Sequence, residues 1–225
     1  MVQNNFTNWF KAASESDRVE DLYDKILAMG PRTRPTDPHR ISWADEYTRR
    51  SEFTRSMSWA VPTREVIRQI VKWSSGGKII EIGAGRGLWA KLLRDEGASV
   101  EASDPNPPDE NHFFKNWNNQ ADRDGHVYDS VEKMSGDEHA SRSETGDTLM
   151  LVWPYLEDSG DADWQASAVR NFKGDKIVFV GESEGGATGS PQFWREIKNN
   201  WTIAGHAEIP QWFGIYDSVM LFRRK

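Results

Sequence analysis

The segment KIIEIGAGRGLWAKLL, Lys78 to Leu93, constrains the fold more than any other. An apolar run of strand length meets three glycines in five positions and then an amphipathic helical run. A strand that enters a helix through so short a turn opens a βα unit. The alternation continues downstream. SVEASD reads as a strand, DTLMLVW as another, Asp161 to Phe172 as a helix, KIVFVGE as a strand, and SPQFWREIKNN as a helix with Ser190 as N-cap and Pro191 at its first position. The chain closes on two strand-like runs, WTIAGHAEI and YDSVMLFRR, joined through PQWFG. Repeated βα units imply a mainly parallel, doubly wound sheet, and a terminal hairpin adds an antiparallel strand. The polar interval from Pro105 to Gly146 has to contain one more strand, for which GHVYDSV is the candidate.

Ahead of this region lie helical patterns over Val19 to Met29, over Trp43 to Arg55 and from Pro62 onward, the last burying Val66, Ile67, Ile70 and Val71. A proline-rich connector, PRTRPTDPH, separates the first two. The reading is therefore an α/β, Rossmann-like chain, with residues 1–75 as a helical extension or cap and 76–225 as the ligand-binding domain.

Composition narrows the chemistry. The 225 residues include no cysteine, which excludes thiolate nucleophiles and cysteine-bound metals, and five scattered histidines offer no metal site. No run of 18 apolar residues and no basic-then-apolar leader are present, so a cytoplasmic protein is expected. A net charge of −7 argues against general nucleic-acid binding. The charge is uneven: Gly30 to Lys72 holds nine Arg/Lys against five Asp/Glu, whereas Glu101 to Asp147 holds four against twelve. Solvated faces of opposite sign explain this, and so does a basic segment that meets an anionic substrate.

The glycines then discriminate between ligands. A dinucleotide fingerprint requires G-x-G-x-x-G, but the third position is Leu88 and the third glycine falls at Gly87, giving E-x-G-x-G-x-G. Such a loop lets the backbone lie against a ligand, and the following helix N-terminus favours a carboxylate. Asp104, 21 residues after Gly83 and at the end of the next strand, can accept hydrogen bonds from both hydroxyls of a ribose. A ligand with a carboxylate at one end and a ribose in the middle suits this layout, and Leu88 disfavours an NAD-dependent oxidoreductase.

This strand, loop, helix and acid unit resembles that of class I S-adenosylmethionine-dependent methyltransferases, as does the terminal antiparallel hairpin. SWAVPT, LVWPY and GESEGGATG further resemble a set of methyltransferase-like proteins that share W-A-I-P, W-P-P-Y and G-E-x-x-G-G-x-T-G segments. The resemblance implies S-adenosylmethionine as cofactor, held by Glu81, Gly83, Ala84, Gly85, Gly87 and Asp104 with Trp153 beside them. It implies a small-molecule or nucleoside-like acceptor facing Trp153, Tyr155 and Glu182, with no membrane partner.

The acceptor side departs from the class pattern. Amino-methylating members carry an acid or amide where this chain has Trp153, and an indole N–H cannot accept from an amine. Glu182 is the expected base and Tyr155 the expected stacking ring, while a helix-capping or solvated loop carboxylate is the alternative for Glu182. Trp59 is either core or a cover for the pocket. Trp212, Tyr216 and Asp217 lie at the pocket mouth or at the opposite end of the sheet, depending on how the hairpin turns. A non-catalytic cofactor-binding module stands as the second reading of the chain.

Overall fold

The computed structural model describes residues 19–31, 43–107, 127–156 and 163–225. Three helices come first: α1 (Val19–Met29), α2 (Trp43–Ser56) and α3 (Arg64–Trp73). Then follow β1 (Ile79–Ile82), α4 (Leu88–Asp95), β2 (Val100–Asp104), β3 (Glu132–Lys133) and α5 (Gly136–Ser141). The rest is β4 (Thr148–Val152), α6 (Trp164–Asn171), β5 (Lys176–Gly181), α7 (Pro191–Asn200), β6 (Trp201–Glu208) and β7 (Ser218–Arg224). Among the described residues no helix is long and apolar enough to cross a membrane.

The seven strands form one sheet in the order β3-β2-β1-β4-β5-β7-β6. The first five in that order are parallel. β7 runs antiparallel between β5 and β6, so the last strand is inserted against its predecessors. The expected fold class is the observed one.

Successive strand residues point to opposite faces, and each face has its own core. Ile79, Met150, Val178 and Val180 pack on one side with Ile26, Phe53 and Ile67 of the first three helices and Trp89 of α4. Ile80, Ile82, Leu149, Leu151, Ile177 and Phe179 pack on the other with α6 and α7. The central strands β1, β4 and β5 are therefore mostly apolar, as burial on both sides requires, with Glu81 the charged residue buried inside β1. The helices that precede the sheet share a continuous core with it.

Local signals place the helix starts. Ser190 caps α7, its Oγ accepting from the Phe193 N–H at 2.9 Å, and Pro191 holds the first position as expected. Asp163 caps α6 in the same way through Ala166. The start of α3 differs by two residues from the sequence reading: Pro62 lies outside the helix, and Thr63 is the cap, accepting from Val66. The cap decides because a proline is tolerated both before and within the first turn.

GHVYDSV is not the missing strand. Over residues 127–131 the chain is irregular, and residues 125 and 126 lie outside the described residues. The Tyr128 N–H donates to the Arg86 carbonyl at 2.8 Å, across the glycine loop and not into a strand neighbour. The strand is the next two residues, Glu132 and Lys133, paired with Ser103 and Asp104 at the sheet edge. Both are exposed and charged, which removes the alternation that marks a strand in sequence.

Candidate functional site

The three glycines at the end of β1 all adopt left-handed backbone, with φ of 70° at Gly83, 55° at Gly85 and 75° at Gly87. They serve different purposes. A β-carbon on Gly85 would meet nothing within 4 Å, so this side of the loop is open. One on Gly83 would lie 3.7 Å from the ring of Trp164 at the start of α6. One on Gly87 would press on the backbone of Asp129, 3.1 Å from its carbonyl oxygen. Residues 127–131 thus form a strap over the loop. Tyr128 Oη donates to the Ser56 carbonyl at 3.1 Å, and Asp129 pairs with Arg94 of α4.

Gly87→Ala is therefore expected to cost about 2–3 kcal/mol of stability, from the left-handed backbone and the collision together. Gly85→Ala should cost only the backbone part, about 1–2 kcal/mol. Urea midpoints of the two variants measure the difference, and equal losses would mean that the strap does not press on the loop.

Asp104 ends β2 beside this loop and is 9% exposed. Its Oδ2 accepts from the Gly85 N–H at 3.0 Å and its Oδ1 from Asn106 at 2.8 Å, so the carboxylate fixes the loop and keeps a lone pair free on each oxygen. Burial raises its pKa, and those two N–H groups pull it back. Ala84 donates its N–H to the Ser103 carbonyl and packs partly buried on the first core. Glu81, inside β1, is 1% exposed, and its Oε2 has no hydrogen-bond partner. Burial pushes its pKa to about 8, against the pull of Arg94 and a backbone N–H at Ala90. Glu81, Gly83, Ala84, Gly85, Gly87 and Asp104 thus come together at one edge of the sheet.

Trp153 follows β4 at the same edge, next to β1 in the sheet. It carries the one positive φ among the described non-glycine residues, 51°, a strained conformation that surrounding structure has to hold. Its N–H donates to the Val180 carbonyl at 2.7 Å, and its indole Nε1 to Asp217 Oδ1 at 2.9 Å. Trp59 stacks on it, ring centroids 4.7 Å apart and 13° from parallel, and the Arg50 guanidinium lies 5.5 Å from both rings. Trp59 is therefore a cover over the strand ends.

Glu182 sits at this edge too, and each of its oxygens accepts one backbone N–H. Oε2 accepts from Ala187 at 2.7 Å and Oε1 from Tyr216 at 2.9 Å, so the carboxylate joins the loop after β5 to the hairpin connection. The residue is 8% exposed and its two donors lie in loops, so it is neither a helix cap nor a solvated carboxylate. Tyr155 is 57% exposed and bridges Thr188, next to that loop.

Ser218 pairs with Gly181 at the C-terminal end of β5, which puts the hairpin connection at the site and not at the far end of the sheet. The pocket-mouth alternative for Asp217 follows from this, and Arg50, which the sequence did not single out, joins it. Asp217 is 1% exposed and its Oδ2 has no partner. Burial pushes its pKa to about 7, with Glu182 pushing the same way and Trp153 and Arg50 opposing. Arg50, from α2, is the cationic residue of this group. Among the other described basic residues of the N-terminal region, Arg64 and Arg68 pair with Glu96, and Arg49 donates to the carbonyls of Ala28 and Gly30. A clue to Asp217 existed in the acid that opens DSVMLF, but the turn direction was needed to use it.

An inserted antiparallel strand, an open glycine loop and an acid at the end of the second strand define a nucleoside-binding domain of the Rossmann-like class. A family model described as "Methyltransferase domain" matches residues 44–158, just over half of the chain, and the chain belongs to that family. The cofactor of the family is S-adenosylmethionine. No curated protein matches the sequence. Among solved structures, magnesium protoporphyrin IX methyltransferase (ChlM) from Synechocystis PCC 6803 with bound SAM is similar at 11% identity, over 97% of this chain and 96% of its own, with a TM-score of 0.47. TrmN from Thermus thermophilus is similar at 10% identity, over 79% of this chain and 53% of its own, with a TM-score of 0.47. For the Pyrococcus abyssi tRNA (uracil-54, C5)-methyltransferase in complex with S-adenosyl-L-homocysteine the figures are 18%, 72%, 37% and 0.43.

Proposed function

We propose that the protein is an S-adenosylmethionine-dependent methyltransferase for a small or medium acceptor. The observation that carries this reading is the Gly85–Asp104 pair: an open left-handed glycine whose N–H is fixed by a buried acid at the next strand end. The residues fit the cofactor. The open face of Gly85 admits a ligand against the backbone, Asp104 has lone pairs left for ribose hydroxyls, and the unpartnered Glu81 Oε2 suits a cationic group near the loop. Bound there, S-adenosylmethionine supplies an electrophilic methyl group on a sulfonium. Trp59 and Trp153 keep water from the strand ends, and the chain's main contribution is positioning. Under this reading residues 1–75 cap the site.

Calorimetric titration tests the proposal. S-adenosylmethionine and S-adenosylhomocysteine are expected to bind and NAD to give no heat; the reverse pattern would sink the reading.

A further inference from the structure

The class pattern places an acid or amide after the fourth strand, and this chain has Trp153 there. The structure returns a carboxylate to the same place from another element. Asp217, at the entrance of β7, reaches across to the Trp153 indole, which holds Oδ1 at 2.9 Å and leaves Oδ2 without a partner. A buried carboxylate oxygen with no donor is costly unless something else uses it. Its surroundings from every packed element are Trp153 after β4, Arg50 of α2 and Glu182 after β5. Each Glu182 oxygen accepts one backbone N–H, from Ala187 or Tyr216, whereas Asp217 is the carboxylate of this group with an oxygen that accepts none.

Position agrees with chemistry. Strands are about 4.8 Å apart, so the sheet edge from Asp104 through the glycine loop to Trp153 covers about 10 Å. Asp217 opens β7, which lies beyond β4 and β5 in the sheet, so along this edge it stands on the other side of β4 from Asp104 and reaches the site through Trp153.

We propose that Asp217 is a catalytic residue: its free Oδ2 accepts the hydrogen of the N–H or O–H group that is methylated. This rests on the methyltransferase reading. The acceptor is then a protic nitrogen or oxygen nucleophile and not a carbon or a thioether. Its lone pair forms the bond to the methyl carbon, the carbon–sulfur bond pair stays on sulfur to give S-adenosylhomocysteine, and the acceptor's proton passes to Oδ2 and on to solvent. The raised pKa of Asp217, about 7, suits a group that takes up and releases a proton near neutrality. Because the residue is 1% exposed, the proposal requires the side chains around Trp153, Arg50 and Trp59 among them, to shift when an acceptor binds.

The test needs no acceptor. Sinefungin resembles S-adenosylhomocysteine but carries a primary ammonium where the methylsulfonium stands, so it presents N–H donors at the methyl position. The wild-type protein is expected to bind sinefungin about tenfold more tightly than S-adenosylhomocysteine, as one charge-assisted hydrogen bond allows. In Asp217→Asn, which keeps an acceptor for the Trp153 indole, the ratio falls to about one while S-adenosylhomocysteine affinity stays within about twofold. A wild-type ratio near one, or a tenfold ratio that persists in Asp217→Asn, overturns the proposal. If the variant fails to fold, the wild-type ratio between pH 5 and 8 decides: it rises through pH 7 if Asp217 is the partner, and a flat ratio overturns the assignment. Failure of both nucleosides to bind defeats the methyltransferase reading itself and this proposal with it.

Discussion

Asp104→Ala is expected to weaken S-adenosylhomocysteine binding by about 100-fold or more, the largest loss of affinity from any single site residue. Two hydrogen bonds from ribose hydroxyls to a carboxylate contribute about 1.5–3 kcal/mol each, and 1.4 kcal/mol is a factor of ten. The same substitution leaves the N–H groups of Gly85 and Asn106 without their partner, so the loop that receives the ligand loosens as well. Asp104→Asn separates these contributions. The amide oxygen retains one of the two backbone contacts and one ribose contact, so an intermediate loss of about tenfold is expected. Calorimetry on both variants, with the urea midpoint as a check on folding, distinguishes ligand contact from loop support. An Asp104→Ala variant that binds as the wild type would remove the ribose from this position.

How much of this was legible in the sequence depends on the range of the interactions. The glycine loop, Asp104 and the terminal hairpin are local signals: an apolar run, a turn that requires left-handed backbone and a fixed interval to the next strand end. Each was readable because β1, α4 and β2 are consecutive. The acceptor side is assembled from α2, the ends of β4 and β5 and the start of β7, and no spacing connects Arg50, Trp153 and Asp217. The antiparallel insertion of β7 beside β5 is what brings Asp217 to Trp153. Glu182 shows what a local reading leaves out: its position after β5 is legible, but its donors are not, because Ala187 reaches it through the fold of the loop GESEGGATG and Tyr216 through the hairpin connection. β3 was missed because two exposed charged residues at a sheet edge carry no apolar alternation.

Glu81→Gln is expected to change the pH dependence of stability more than any other substitution. Burial raises the folded-state pKa of Glu81 from 4.5 to about 8. Between those values the folded protein holds a proton that the unfolded chain releases, so stability falls as pH rises across that window. The whole effect is on the order of 5 kcal/mol, since each pKa unit is worth about 1.4 kcal/mol. Asp217 adds a slope of the same sign between 3.8 and about 7. Glutamine has no proton to lose, so Glu81→Gln should match the wild type near pH 5, keep part of the slope up to pH 7, and be markedly more stable at pH 8. Urea denaturation at pH 5, 7 and 8 measures this, and parallel curves for the two proteins would show that Glu81 does not titrate in that range. A buried carboxylate that costs stability near neutrality is a sign of use, because a neutral side chain would serve the fold better. The gain in stability at pH 8 should therefore come with weaker binding of S-adenosylhomocysteine, whose ammonium would otherwise draw the ionised form of Glu81 to Oε2.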